Sequence, residues 1–331
     1  MAALLEVRDL SVEYATKEST IEAVRHLNLD LRAGELYALV GESGSGKTTV
    51  ALALLGILAH PGTMTGGTVR LAGEDLSTLD EGRLREIRGE AISMIFQDPV
   101  AGLNPVVEVG KQVEEVISSH RQVEPSVARE MTLEALGQMR LPDPARIAKA
   151  YPGELSGGMC QRVMIAIATV LRPKVLIADE PTSALDVTVQ AQILEELRQL
   201  QREQGTAILL ITHDLGVVAQ VADRVGIMYA GALVESTDYR SVFASPRHPY
   251  TWALLSTLPR LNAPRRGVLP QIRGNPPDMG ALTEQCSFLE RCPKALTQCR
   301  TDAAPDLQQV PGAAEGEHLV ACYNMVAEGV V

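Results

Sequence analysis

The sequence predicts an α/β fold: strands alternating with helices, a helical insertion, and an irregular Cys-rich C-terminal appendage. Three observations predict it. An apolar strand runs into a Gly-rich loop and a helix over residues 36–58, apolar strands and helices alternate from 174 to 235, and the texture between them, from about 104 to 171, is helical. We place a core domain at 1–245, with the insertion at about 98–171, and the appendage at 246–331. The second boundary rests on lost periodicity, since ten of the nineteen prolines fall from Pro246 onward.

Taken in order, "LLEVRDLSVEY" and "EAVRHLNLDL" alternate partly and suit strands. "GELYALVG" is an apolar strand that meets the loop "GESGSGKT", and "TTVALALLGIL" has helical composition. "GTVRLAGEDL" reads as a strand with a turn and "AISMIFQD" as a buried strand. Helical segments follow at 106–119, 126–138 and 156–171, broken by Pro125, Pro142, Pro144 and Pro152. Strands return with "KVLIADE", then a helix at 187–203, the strand "AILLITHD", a short helix near 215–222, and "RVGIMYAGALVE". There is no internal repeat or low-complexity block.

Composition bounds the function. A chain of 331 residues, 46% hydrophobic, can build more than one core. Its net charge of -11 argues against a nucleic-acid surface and against electrostatic attraction to membranes. No run of eighteen apolar residues is present, and "MAALLEVRDLSVEY" is not expected to act as a signal peptide.

"GESGSGKT", Gly41 to Thr48, fits G-x-x-x-x-G-K-[ST] in the strand-to-helix context that the pattern requires. Gly41, Gly44 and Gly46 let backbone N–H groups converge on phosphates, with Ser43, Ser45 and Thr49 completing the loop and the helix start. Lys47 is expected to reach the β and γ phosphates, and the Thr48 hydroxyl to coordinate magnesium. "VLIADE" ends an apolar strand in two carboxylates: Asp179 as the magnesium ligand, Glu180 to polarise an attacking water. His213 follows another apolar strand, at the strand end where α/β sheets bind ligands, and is expected to contact the γ phosphate. Gln97 in "MIFQD" has the same context and suits magnesium or the attacking water. In "YPGELSGGMCQR", Ser156 is a good N-cap, and Gly157 and Gly158 permit close backbone approach.

In this order the pieces resemble the ATP-binding cassette family of transporter ATPases, a P-loop NTPase fold with a helical insertion. "LSGGMCQR" is similar to the family's signature motif, "SALD" at 183–186 to its D-loop, Gln97 to its Q-loop glutamine and His213 to its switch histidine. Tyr14 resembles the aromatic residue that stacks on adenine. The resemblance implies a head-to-tail pair of cassettes with ATP between them. Ser156, Gly157 and Gly158 would then face the partner's ATP, Asp186 would couple the two sites, and the insertion would grip the membrane subunits. A narrower resemblance, through "SMIFQDPVAGLNPV", "IADEPTSALDVTVQAQI", "SPRHPYTWALLSTLPRL" and "IRGNPPD", is to the oligopeptide and dipeptide importer branch, which includes nickel and glutathione importers. It implies an ATPase at the cytoplasmic face of the membrane, with a second ATPase subunit, two permease subunits and an extracytoplasmic substrate-binding protein. A soluble cassette ATPase outside transport and a non-hydrolytic partner are the competing readings; the latter is disfavoured by Glu180 and His213.

Cys160 stands where many relatives carry Arg or Gln, and Gly102 where Ser is common. Placement in a helix's first turn allows a lowered Cys160 thiol pKa and a redox role, with a plain substitution as the preferred reading. The other four cysteines, Cys286, Cys292, Cys299 and Cys322, crowd the appendage, and a reducing compartment disfavours disulfides between them. Zinc and iron–sulfur clusters both accept four thiolates. The absence of a tight C-x2-4-C knuckle favours a cluster over zinc. The tail also resembles those of importer ATPases that hold a [4Fe-4S] cluster there. No residue near the cysteines offers an electron partner or a substrate contact, which favours a structural brace over a redox sensor.

Overall fold

The computed structural model describes residues 3–17, 19–183, 185–258, 271–314 and 316–327. Ala184 of "SALD" and residues 259–261 of the "SPRHPYTWALLSTLPRL" stretch lie outside them. In chain order the chain forms β1 (Ala3–Ala15), β2 (Thr20–Arg32), β3 (Leu36–Val40), α1 (Lys47–Leu54), β4 (Gly62–Leu71), β5 (Glu74–Asp75), α2 (Glu81–Ile87) and β6 (Ile92–Ile95). The insertion contributes α3 (Val109–His120), α4 (Pro125–Gln138), α5 (Pro144–Ile147) and α6 (Gly157–Thr169). Then come β7 (Val175–Asp179), α7 (Val187–Gln204), β8 (Ala207–Thr212), α8 (Leu215–Val221), β9 (Arg224–Tyr229) and β10 (Ala232–Asp238). Helices α9 (Tyr239–Ala244), α10 (Pro249–Ser256) and α11 (Gln298–Thr301) and strands β11 (Gln308–Gln309) and β12 (His318–Val320) complete it. Among the described residues no helix is long and apolar enough to cross a membrane.

The chain divides into two compact units, one of residues 1–5, 30–36 and 70–211, the other of 6–29, 37–69 and 212–331. In the first, β6 pairs with β7 and β7 with β8, all parallel, with Ile95 opposite Ala178 and Asp179 opposite Ile211. Strands β7 and β8 are buried at every position, the pattern of parallel strands covered on both faces. Helices α3, α4 and α6 pack together around Val113, Ile117, Leu136, Val163 and Ile165. The prolines open helices as well as interrupting them: Pro125 and Pro144 start α4 and α5, where a missing N–H costs nothing.

In the second unit, β3 runs parallel to β9, with Val40 opposite Ile227, and β9 pairs antiparallel with β10. Where the sequence loses its period the structure adds sheet edge: β12 pairs antiparallel with β10, Glu235 opposite Val320, and β11 pairs with β12. Helix α1 stops at Leu54, short of the expected Leu58. Gly56 takes a left-handed φ of 62°, and the N–H groups of Gly56 and Ile57 return to the carbonyls of Ala53 and Leu52, a Schellman stop.

Candidate nucleotide site and a four-cysteine cavity

The phosphate loop closes on itself. Lys47, the first residue of α1, is buried and donates from Nζ to the Gly41 and Glu42 carbonyls, both at 2.8 Å, and to Ser45 Oγ at 3.2 Å. Its ammonium therefore lies across the loop that the motif expects it to serve. Gly46 has φ 99°, and a Cβ there would run into the Ala23 carbonyl, so only glycine fits. Ser43, Gly44 and Thr48 are exposed, whereas Gly41 and Ser45 are buried and Thr49 is half-buried. The loop is also held from outside, since the Glu42 N–H donates to Tyr250 Oη at 3.1 Å and the Gly231 N–H to the Ser45 carbonyl at 3.0 Å. In this same unit lie Tyr14, half-buried near the end of β1, and His213, exposed just past β8. A Cβ at Gly62 would come within 2.6 Å of Tyr14 Cε1, so that glycine makes room for the ring.

The first unit holds the carboxylates. Asp179 ends β7 at 1% exposure, and Glu180 follows with φ 48°. The β sheet and the turn after it hold that left-handed residue in place: its N–H donates to the Ile211 carbonyl at 2.9 Å, and its carbonyl accepts from Ser183 N–H and Oγ at 3.1 and 3.0 Å. Gln97 is exposed two residues past the end of β6, the parallel neighbour of β7, so it leaves the same edge of the sheet as Asp179. Ser156 caps α6, its Oγ accepting from the Met159 N–H at 3.3 Å. A Cβ at Gly158 would press on Val189 at 3.2 Å, but at Gly157 it would meet nothing within 4 Å. Asp186 caps α7 by accepting from the Thr188 and Val189 N–H groups, both at 3.0 Å.

Cys160 corrects one expectation. Its thiol is buried and donates to the Pro152 carbonyl at 3.5 Å, and burial raises its pKa, opposite to the lowering read from its place in the helix.

The four tail cysteines line one cavity together with His248, Phe288 and Tyr323. All are free thiols. Burial raises the pKa of Cys286, Cys292 and Cys322, the last to about 12, and the neighbouring thiols push the same way. Two of the sulfurs also accept a backbone N–H, Cys299 from Leu296 at 3.5 Å and Cys322 from Asn324 at 3.3 Å. Among the described residues no three His, Cys, Asp or Glu side chains are already gathered in a ligating arrangement.

Two buried polar centres had no counterpart in the sequence reading. Glu235, fully buried in β10, accepts from the Arg247 N–H at 2.7 Å and the His248 N–H at 2.8 Å, and pairs with His318 Nε2 at 2.7 Å. Arg291 grips Glu42 of the phosphate loop with both guanidinium NH2 groups. No local signal announces either pairing, because His318 is 83 residues from Glu235 and Arg291 is 249 from Glu42.

The family model described as ABC transporter matches residues 24–183, and that of the oligopeptide/dipeptide transporter C-terminal region matches residues 234–299. The oligopeptide transport ATP-binding protein OppD of Escherichia coli (strain K12) is 47% identical over 327 residues, covering 98% of this chain and 94% of the relative. The chain belongs to the ATP-binding cassette transporter family. The dipeptide transport ATP-binding protein DppD of Bacillus subtilis (strain 168) is 44% identical over 300 residues, 90% of this chain and 89% of the relative. Among solved structures, the cassette MJ0796 in a dimeric post-hydrolysis state bound to ADP and Pi superposes with a TM-score of 0.65 at 29% identity, covering 71% of this chain and 99% of that one. The resemblance and the cassette fold read from the sequence thus hold, and the chain is an ATP-binding cassette ATPase.

Proposed function

We propose that this cassette hydrolyses ATP to drive peptide import, as the nucleotide-binding subunit of an importer at the cytoplasmic face of the cell membrane. Its partners are a second ATPase subunit of a different chain, two permease subunits and an extracytoplasmic substrate-binding protein. The observation that carries this reading is likeness to peptide-transport ATPases along nearly the whole chain, tail included. Residues 1–245 form the ATP-binding domain and 246–331 its importer-type appendage.

The residue roles follow from their chemistry. Gly41, Ser43, Gly44, Ser45, Gly46, Lys47, Thr48 and Thr49 take the phosphates, with the Lys47 ammonium leaving its loop carbonyls for phosphate oxygens, and Tyr14 stacks on adenine. Thr48, Gln97 and Asp179 would hold magnesium, which neutralises charge on the transferring phosphoryl group. Glu180 orients and polarises the attacking water, His213 contacts the γ phosphate, and Asp186 links the paired sites. Ser156, Gly157 and Gly158 serve the partner's ATP. Support comes from Gly157, whose missing Cβ relieves no crowding within the described chain.

We also assign the four thiols a [4Fe-4S] cluster. One shared cavity and a backbone N–H on the Cys299 and Cys322 sulfurs suit thiolate ligands, and binding would draw the sulfurs inward and displace their protons. The cluster would cross-link a lobe with little regular structure. Iron and sulfide measured after anaerobic purification test this; one zinc per chain would replace the cluster reading. For transport, the complete importer in vesicles should hydrolyse ATP faster when its binding protein carries peptide. Stimulation by nickel or glutathione and not by peptide would overturn the cargo.

A further inference from the structure

The Cys-rich lobe reaches the phosphate loop through Arg291. Arg291 ends the short turn Leu289–Arg291 and immediately precedes Cys292. Its guanidinium makes a two-toothed pair with Glu42, NH1 to Oε2 at 2.9 Å and NH2 to Oε1 at 3.2 Å. NH1 also donates to Tyr229 Oη at 3.2 Å and Nε to the Arg273 carbonyl at 3.1 Å, so the fork is held from three sides. The Arg291 side chain is 6% exposed and that of Glu42 23%. Behind the pair, Phe288, Tyr229 and Tyr250 pack edge to face or tilted, with centroids 4.5 to 5.4 Å apart, and the guanidinium carbon lies 5.9 Å from the Phe288 ring centre. Tyr250 Oη accepts the Glu42 N–H, while the Glu42 carbonyl accepts from Lys47. The tail thus grips Glu42 at both backbone and side chain, one hydrogen bond from the loop lysine.

An unneutralised carboxylate in a loop that takes a polyphosphate opposes binding through like-charge repulsion. We infer that Arg291 is a positioning residue for nucleotide: by neutralising and fixing Glu42 it makes MgATP affinity depend on an ordered four-cysteine lobe. This rests on the reading of Gly41–Thr48 as the ATP loop.

The test measures the Kd of MgATP on the full chain, and kcat and KM in the assembled importer. Arg291→Ala should weaken MgATP by about tenfold or more, with kcat at saturating ATP within about twofold of wild type. Adding Glu42→Gln to Arg291→Ala should restore affinity to within about threefold of wild type, because the repelling charge is gone; general loosening of the lobe predicts no rescue. Arg291→Lys, which keeps the charge without the fork, should bind MgATP about threefold more weakly than wild type, a comparison that stands even if Arg291→Ala does not fold. Affinity unchanged in Arg291→Lys and Arg291→Ala, or no rescue in the double variant, overturns the inference alone. Failure of the wild-type chain to bind MgATP would sink the ATP-loop reading and the inference with it.

Discussion

Replacing Glu235 with Ala removes the acceptor at the centre of a buried polar knot in the second unit. The carboxylate has no exposure and accepts from two backbone N–H groups at 2.7 and 2.8 Å, with His318 Nε2 at 2.7 Å. A hydrogen bond to a charged group contributes about 1.5–3 kcal/mol, and each buried donor left alone costs about 1–3 kcal/mol. Relaxation and water entry recover part of this, so the loss should be about 3–5 kcal/mol, the range for breaking a buried pair. That lowers the folded-to-unfolded ratio by roughly a thousandfold. Denaturant unfolding should show a lower midpoint at an unchanged slope, and hydrogen exchange should accelerate at His318–Val320, because β12 is pinned to β10 beside this residue. Glu235→Gln, retaining one acceptor oxygen, should lose less. A Glu235→Ala variant within about 1 kcal/mol of wild type would refute the reasoning, since no network of three such bonds can then be in place.

Three further outcomes follow from single observations. Glu180→Gln should leave MgATP binding intact, abolish turnover and accumulate ATP-bound, paired ATPase subunits on size exclusion; undiminished hydrolysis would refute its role as the water-polarising carboxylate. Burial holds the His248 pKa down at about 4, below its ordinary 6.5, so the unfolded chain binds the extra proton first as pH falls; stability present above pH 6.5 should drop by roughly 3 kcal/mol by pH 4. His248→Asn, which keeps a cap for the Tyr250 N–H, should flatten that acid slope in thermal melts; an unchanged slope would assign it elsewhere. Cys160 should resist iodoacetamide at neutral pH in the folded chain and react only on unfolding, and rapid native labelling would contradict its buried, raised-pKa thiol.

What could be read in advance tracks how local each interaction is. The phosphate loop was legible because Gly41, Glu42 and Ser45, which accept from Lys47, lie within six residues of it, so the motif carries its own geometry. Strands β7 and β8 were legible as unbroken apolar runs, since a strand buried on both faces needs no polar alternation. The end of α1 was misjudged because apolar composition continues past Gly56, whereas the backbone stops where that glycine turns left-handed. Position in a helix spoke for a lowered Cys160 pKa, and burial, a property of the packed helices, reversed it.

The tail divides the same way. Sequence alone determined that four thiols are concentrated there, and it marked the loop, the paired carboxylates and His213 as candidates for ATP chemistry, because residue type and spacing are read along the chain. Only the tertiary structure brought the thiols to one cavity, placed Glu235 between Arg247, His248 and His318, and set Arg291 against Glu42. An acidic residue in a strand or loop is ordinarily solvated, so its sequence neighbourhood says nothing of a partner far along the chain. Folding supplies that partner, and burial is what turns the pairing into a determinant of stability and nucleotide affinity.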